Sequence, residues 1–313
     1  MLVLLSACFA PAPTEPPAPA PVADRARVAP VEVVDPAGRR VVAVGDLHGD
    51  REASVATLRL AGLIDEQERW IGGETVFVQT GDVTDRGPDS KGVMDLVRSL
   101  VEPARAAGGE VVLLNGNHEV MNLQGDWRYV SEGDLADFGS REARKAAFAE
   151  GGEYGRWLTQ LPVVAKVGST VFAHGGITDT FAELGVDGLN ALARQHYLDT
   201  PGPLGHPIHG DAGPTWYRGY AQDSEATACP ILERALATLG ATRMVVGHTA
   251  QRTGEPLVRC GGRFTVIDIG ISAAYGYHPG AWELLGDDAR MLLSTGPRDL
   301  PDPSPVASPA APE

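Results

Sequence analysis

No apolar run in this 313-residue sequence approaches the length of a membrane-spanning helix, so any bilayer link would run through a lipid. Basic residues are in deficit: 26 Lys and Arg stand against 41 Asp and Glu, a formal net charge of −15. That balance argues against a nucleic-acid partner, because phosphate backbones are held by basic patches. The acid excess reads as a solvated surface that aids solubility. A phosphate-bearing substrate would need local cations and metal ions to overcome it. Cysteine is scarce, with only Cys8, Cys229 and Cys260. Internal repeats, coiled-coil heptads and a second compositional domain are also missing.

What is present divides into a folded middle and two plain ends. Residues 1–31 hold a short apolar start and a Pro/Ala-rich stretch, and residues 297–313 are again rich in Pro, Ala, Ser and Asp. Such segments cannot bury enough apolar surface to offset the entropy of ordering. Residues 32–296 are therefore expected to form one large α/β domain. Leu5-Ser6-Ala7-Cys8 resembles a bacterial lipobox, which implies cleavage before Cys8 and lipid on its thiol and amine. The apolar run is short and no basic residue precedes it; an upstream start would supply the missing region. The expectation is an extracytoplasmic lipoprotein facing the periplasm. Cys229 and Cys260 would then be an even pair, open to a disulfide or to two buried thiols.

Through the middle, short β-rich runs alternate with helical stretches. Strands are expected at 41–44, 75–78, 110–114, 163–167, 170–173, 243–246, 264–269, 282–285 and 290–293. Helices are expected near 51–61, 90–101, 187–195 and 231–239, with a polar helical segment at 126–160 and a Gly/Pro-rich loop at 200–219. The alternation in the first half suggests successive βαβ units.

Five of these strands end in the same kind of station. They run into Gly45-Asp46-Leu47-His48-Gly49, Gly81-Asp82-Val83-Thr84-Asp85-Arg86-Gly87, Gly116-Asn117-His118-Glu119, His174-Gly175-Gly176 and Gly247-His248-Thr249. Ligand sites of open α/β sheets lie at the carboxyl ends of strands. In extended chain, side chains two apart point the same way, so Asp46 and His48 can grip one ion. The flanking glycines let the backbone turn sharply beside it. Asp82 has two oxygens and can bridge two ions, Asn117 offers a neutral oxygen, and His174 and His248 offer imidazoles. A mixed nitrogen and oxygen set suits Mn, Fe, Zn or Co, whereas Ca prefers oxygen alone.

The series GDLHG, GDVTDRG, GNHE, HGG and GHT resembles that of the calcineurin-like metallophosphoesterases, in the form found in the phosphoprotein phosphatase superfamily. The resemblance covers about residues 41–285 and implies an αββα sandwich of two mixed sheets flanked by helices, with a dinuclear metal centre. The stretches at 122–130 and 213–219 are similar to the Shewanella-like bacterial protein phosphatases. Two marks of eukaryotic Ser/Thr enzymes are absent: there is no Trp-Ser-Asp-Pro, and residues 269–276 lack their SAPNYC signature. This favours phosphotyrosine, with phosphoserine and phosphothreonine as further substrates.

By the same resemblance, Asp46, His48 and Asp82 hold one metal, and Asp82, Asn117, His174 and His248 the other. Mn is the ion expected to work in vitro. A metal-bridging hydroxide would attack the phosphorus of a phosphoprotein or phosphopeptide directly. His118 is the expected general acid, oriented by Asp85. Arg86 is expected to grip the phosphate, joined by Arg218, with Arg128 as the fallback. Trp216 and Tyr217 pack the pocket wall or a substrate ring, and Glu119 gives structural support. The competing enzyme reading is a diadenosine tetraphosphate or other nucleotide phosphohydrolase, with an adenine pocket in the loops at 122–160 and 200–220. A catalytically silent binding lipoprotein would require loss of a ligand or of the acid, and none is lost.

Overall fold

The structure is a computed structural model that describes residues 32–200 and 205–303. The lipobox cysteine, the Pro/Ala stretch and the last ten residues lie outside this range. Twelve strands are described: β1 Val33–Val34, β2 Val41–Val44, β3 Val76–Gln79, β4 Glu110–Leu113, β5 Val164–Val167, β6 Thr170–Ala173, β7 Arg243–Val246, β8 Leu257–Arg259, β9 Phe264–Val266, β10 Gly280–Leu285, β11 Asp288–Leu293 and β12 Gly296–Asp299. They form two six-stranded sheets, ordered β12-β11-β10-β2-β3-β4 and β1-β5-β6-β7-β9-β8.

The first sheet follows from the βαβ pattern. β2, β3 and β4 pair in parallel, joined through the helices Arg51–Leu60 and Ser90–Ser99. β10 then adds antiparallel to β2, with Trp282 opposite Ala43. In the second sheet β6, β7 and β9 are parallel, and β5 and β8 pair antiparallel at either side. Both sheets are mixed and flanked by helices, as the resemblance implied. Every residue of β2, β3, β6 and β7 is buried, because one face meets the opposite sheet and the other meets helices. Phe172 on β6 meets Trp282 on β10 edge to face, with ring centroids 5.7 Å apart, so these side chains fill the space between the sheets.

Some boundaries move. The strand expected at 264–269 ends at Val266, and the helix expected to start at 231 runs from Glu225 to Leu239 with Pro230 inside it. Pro230 sits in the second turn, where its ring removes the N–H bond to the Ala226 carbonyl. β12 carries the sheet three residues into the expected tail: Arg298 and Asp299 pair with Met291 and Arg290, and the Leu300 N–H donates to Ala289 O. The domain therefore runs past residue 296. Cys229 and Cys260 form a disulfide that ties the helix Glu225–Leu239 to the turn between β8 and β9.

Candidate metal centre

The five stations meet at the carboxyl ends of β2, β3, β4, β6 and β7, so both sheets contribute. Asp46, His48, Asp82, Asn117, His118, His174 and His248 are all buried. The loop after β2 is laced to the loop after β3: the Leu47 and His48 N–H groups donate to Asp82 O, and Gly49 N–H donates to Val83 O. Each loop then enters a helix capped by an aspartate. Asp50 Oδ1 accepts from Ala53 N at 3.0 Å, and Asp89 Oδ1 from Gly92 N at 2.6 Å. Caps of this kind contribute about 1 kcal/mol each and fix where the loop must stop.

Tight loops show in the backbone. His48, Asp82, Asp85, Arg86 and His248 all take positive φ, between +47° and +68°. Non-glycine residues hold this region only when their surroundings enforce it, and such residues collect at functional sites. The enforcing element at β3 is Glu119. Its buried carboxylate accepts from the N–H groups of Asp82, Val83, Thr84 and Gly116 and from Thr84 Oγ1, at 2.7–3.1 Å. Gly116 is required by proximity: a Cβ there would lie 2.2 Å from Asp82 Oδ1.

Hydrogen bonds on the outer ring nitrogens assign the tautomers. His174 Nδ1 donates to Thr80 O at 3.0 Å, and His48 Nδ1 to Thr84 O at 3.2 Å. His248 Nε2 donates to Trp216 O at 3.0 Å. The inner nitrogens, His174 Nε2, His48 Nε2 and His248 Nδ1, turn toward the carboxylates, and an Arg218 N–H also reaches His248 Nδ1, at 3.4 Å. They face more acceptors. His174 Nε2 lies 2.9 Å from Asn117 Oδ1, 3.1 Å from His248 Nδ1 and 3.2 Å from Asp82 Oδ2. On the other side of Asp82, His48 Nε2 lies 3.7 Å from Asp46 Oδ2 and 3.8 Å from Asp82 Oδ2. Neutral imidazoles set among carboxylate and amide oxygens crowd lone pairs together, and a cation between them relieves that repulsion. This donor set fits divalent ions, with the outer nitrogens held by carbonyls as metal-ligating histidines are.

Two compact groups share Asp82: one with His174 and His248, the other with His48 and His118. Asp46 accompanies the second group through His48 and also accepts the His248 N–H with both oxygens. The protonation tendencies agree with the crowding. Burial, then Asp268 and Asp82, push the Asp46 carboxyl well above the ordinary range, and burial raises Asp268 to about 6. Burial opposes charge on Asp82, but the imidazoles of His174 and His118 outweigh it and hold Asp82 well below its usual value. Burial lowers His48 to about 4 and holds His248 well below the ordinary value, helped by His174 and Arg218. Neutral imidazoles are the metal-binding form.

His118 differs. Burial opposes its charge, but Asp82 and Asp85 outweigh burial and raise it above its ordinary value. Its Nδ1 donates to Asp85 Oδ2 at 2.8 Å, and its Nε2 lies 3.8 Å from Asp82 Oδ2. Tyr129 packs on the His118 ring at 5.0 Å and Tyr275 stacks on His48 at 4.9 Å. The Arg86 guanidinium lies between these tyrosines, 3.8 Å from one ring centre and 5.9 Å from the other. Arg218 reaches the edge of the site and donates to His248 O at 2.6 Å. Arg128 is not brought in: its guanidinium grips Asp126 through Nε and Nη2, and its side chain is 65% exposed. Trp216 reaches the site through its carbonyl and its ring edge against His248, while Tyr217 packs on Tyr220. Sequence reasoning assigned no role to Tyr129, Tyr275, Asp268, Asn122 or Arg144. Tyr129 and Asn122 lie in the stretch similar to the Shewanella-like enzymes, which was the one signal available for them.

The chain is 33% identical over 307 residues to Shewanella-like protein phosphatase 2 of Arabidopsis thaliana, covering 82% of this chain and 78% of that one. It is 30% identical to Shewanella-like protein phosphatase 1 of Plasmodium berghei over 76% of this chain and 68% of the relative. Among solved structures, the cold-active protein-tyrosine phosphatase of a psychrophilic Shewanella superposes with a TM-score of 0.74 at 29% identity, covering 86% and 82% of the two chains. Residues 39–252 match the calcineurin-like phosphoesterase family as a whole, and the chain belongs to that family.

Proposed function

We propose that this metallophosphoesterase is a protein phosphatase that hydrolyses phosphomonoesters on phosphoproteins, with phosphotyrosine its favoured residue. The observation that carries the reading is the cluster of ring nitrogens and side-chain oxygens around Asp82, set beside His118 held by Asp85. Asp46, His48 and Asp82 would hold one ion, and Asp82, Asn117, His174 and His248 the other. When bound, a pair of divalent ions supplies neutralisation of phosphoryl charge and an activated water. The mixed donor set favours Mn in vitro.

The chain's own residues do the rest. Arg86, fixed between two tyrosine rings, presents a planar fork of donors to phosphate oxygens. Arg218 adds a second cation at the rim. Together they bring two positive charges to the phosphate site of an acidic protein. His118 protonates the leaving oxygen, and Asp85 holds its ring in position. The names of the relatives and of the solved neighbour support protein substrates, and the neighbour's name supports phosphotyrosine. We also place the enzyme outside the cytoplasm, anchored through lipid on Cys8 in a bacterial host. A disulfide between Cys229 and Cys260 supports an oxidising compartment.

The test is hydrolysis of matched phosphotyrosine and phosphothreonine peptides and of diadenosine tetraphosphate, with Mn, by wild type, Asp82→Asn and His118→Asn. Peptide turnover that is lost in both variants is expected. Preference for the dinucleotide would move the enzyme to nucleotide chemistry, and turnover independent of Asp82 would overturn the reading. Membrane fractions that retain Cys8→Ser protein as wild type would remove the lipid anchor.

A further inference from the structure

Behind His118 lies a closed circuit of buried groups that the metal centre does not use. Asp85 divides its oxygens: Oδ2 takes the His118 ring, while Oδ1 accepts from Asn122 Nδ2 at 3.0 Å and from Arg144 Nη2 at 3.3 Å. Arg144 Nη1 donates to Asn122 Oδ1 at 2.6 Å, and Nε to Asp134 Oδ2 at 2.8 Å. Asp134 Oδ1 accepts the Ser90 N–H, and Ser90 Oγ accepts the Asp85 N–H, which closes the ring. Asn122 Nδ2 also donates to His118 O, so the same amide touches both members of the pair.

Arg144 is 0% exposed, as are Asp85 and Asp134, and its guanidinium lies 4.5 Å from the Phe148 ring centre and 5.4 Å from that of Trp127. Burying an arginine between two carboxylates is a poor source of stability, because desolvation offsets the attraction. Its geometric effect is definite. A three-point grip through Nε, Nη1 and Nη2 fixes the plane of Asn122 and the orientation of the Asp85 carboxylate. Arg144 comes from the helix Arg141–Phe148, within the same polar segment that lays Tyr129 on the His118 ring.

We propose that Arg144, acting with Asn122, is a positioning residue for leaving-group protonation, locking Asp85 so that His118 Nε2 is aimed at the departing oxygen. This rests on the reading of His118 as general acid. In that step the oxygen of water forms a bond to phosphorus as the bond from phosphorus to the leaving oxygen breaks. The leaving oxygen keeps the electron pair and takes the proton of His118 Nε2; the water's proton is released to solvent. Esters with poor leaving groups need that proton, whereas activated aryl esters need it little.

The experiment compares 2,4-dinitrophenyl phosphate with phenyl phosphate on Mn-loaded wild type, Arg144→Lys, Asn122→Ala and His118→Asn. For Arg144→Lys we expect kcat on phenyl phosphate to fall about 10- to 100-fold, and kcat on the dinitrophenyl ester to fall less than about threefold, with KM little changed. The double variant with His118→Asn should be no slower than His118→Asn alone, since both act on one step. Equal losses on both esters, or none on either, overturn the proposal. If His118→Asn itself shows no leaving-group dependence, the acid assignment fails; if it does and neither Arg144→Lys nor Asn122→Ala follows, the positioning role alone fails. Should Arg144→Lys not fold, Asn122→Ala, which keeps the buried pair of Arg144 and Asp134, decides the matter by the same ratio.

Discussion

Replacing both Cys229 and Cys260 with alanine removes a bond that closes a loop across a sequence separation of 31. In the chain-entropy account, a loop of that length costs the unfolded ensemble about 12 cal/mol/K, or about 3.7 kcal/mol at 25 °C. The native contacts around the bond survive the change. Cys260 N–H donates to Glu225 Oε1, and Arg259 donates to the carbonyls of Tyr220 and Asp223. These groups are backbone or belong to other side chains, so the variant keeps these hydrogen bonds while removing the loop closure and two core-packed sulfurs. Urea unfolding followed by circular dichroism should show a loss of about 3–4 kcal/mol, and a Tm lower by roughly 7–14 °C at 2–4 °C per kcal/mol. Wild type in excess reductant should match the double variant. A loss below about 1 kcal/mol would refute the reasoning, since loop closure would not be what the bond contributes.

Glu119→Gln replaces one acceptor oxygen with an amide NH2 that faces N–H donors and should cost on the order of 3 kcal/mol in urea unfolding, with activity falling as Asp82 shifts. Gly116→Ala sets a Cβ 2.5 Å from Asp82 N and should cut kcat at least about 100-fold while the far-ultraviolet spectrum stays native; near-normal kcat would sink the close-approach argument. Chelation should lower Tm and Mn restore it, by about 2.7 kcal/mol of stability at a hundredfold excess over Kd, read by thermal melting. Burial lowers His209 to about 4 from 6.5, so the unfolded chain takes up that proton first. Its contribution is complete above about pH 6.5 and is lost as pH falls toward 4, on the order of 2 kcal/mol for a partly exposed ring. His209→Gln should therefore flatten the acid limb of stability against pH, and an unchanged slope would remove the assignment.

The metal-facing groups were legible because each needs a particular side chain at a strand end beside glycine, a pattern confined to a few consecutive residues. Their assembly was not: that β2 and β3 face β6 and β7 depends on sheet packing, and here it came from resemblance alone. Arg144 escaped notice because an arginine in a polar helical stretch looks like a surface residue, and only tertiary packing turns it inward. Arg128 shows the reverse: it lies beside Tyr129 in sequence, yet pairs locally with Asp126. The short strands β1 and β8 carry too few residues for periodicity to register, and β12, with the sequence Gly-Pro-Arg-Asp, contains a proline and no apolar alternation.

The placement of β10 beside β2 has a consequence for synthesis. Val41, Val42 and Ala43 find their antiparallel partners only in Leu284, Glu283 and Trp282. A ribosome moving along the message therefore completes β2, β3 and β4 long before the strand that seals the β2 edge exists. Until then that edge offers unpaired backbone groups to any neighbouring strand, a hazard for aggregation. Nonsense or frameshift products ending before residue 280 would carry all seven metal-facing and acid side chains and still leave the β2 edge open.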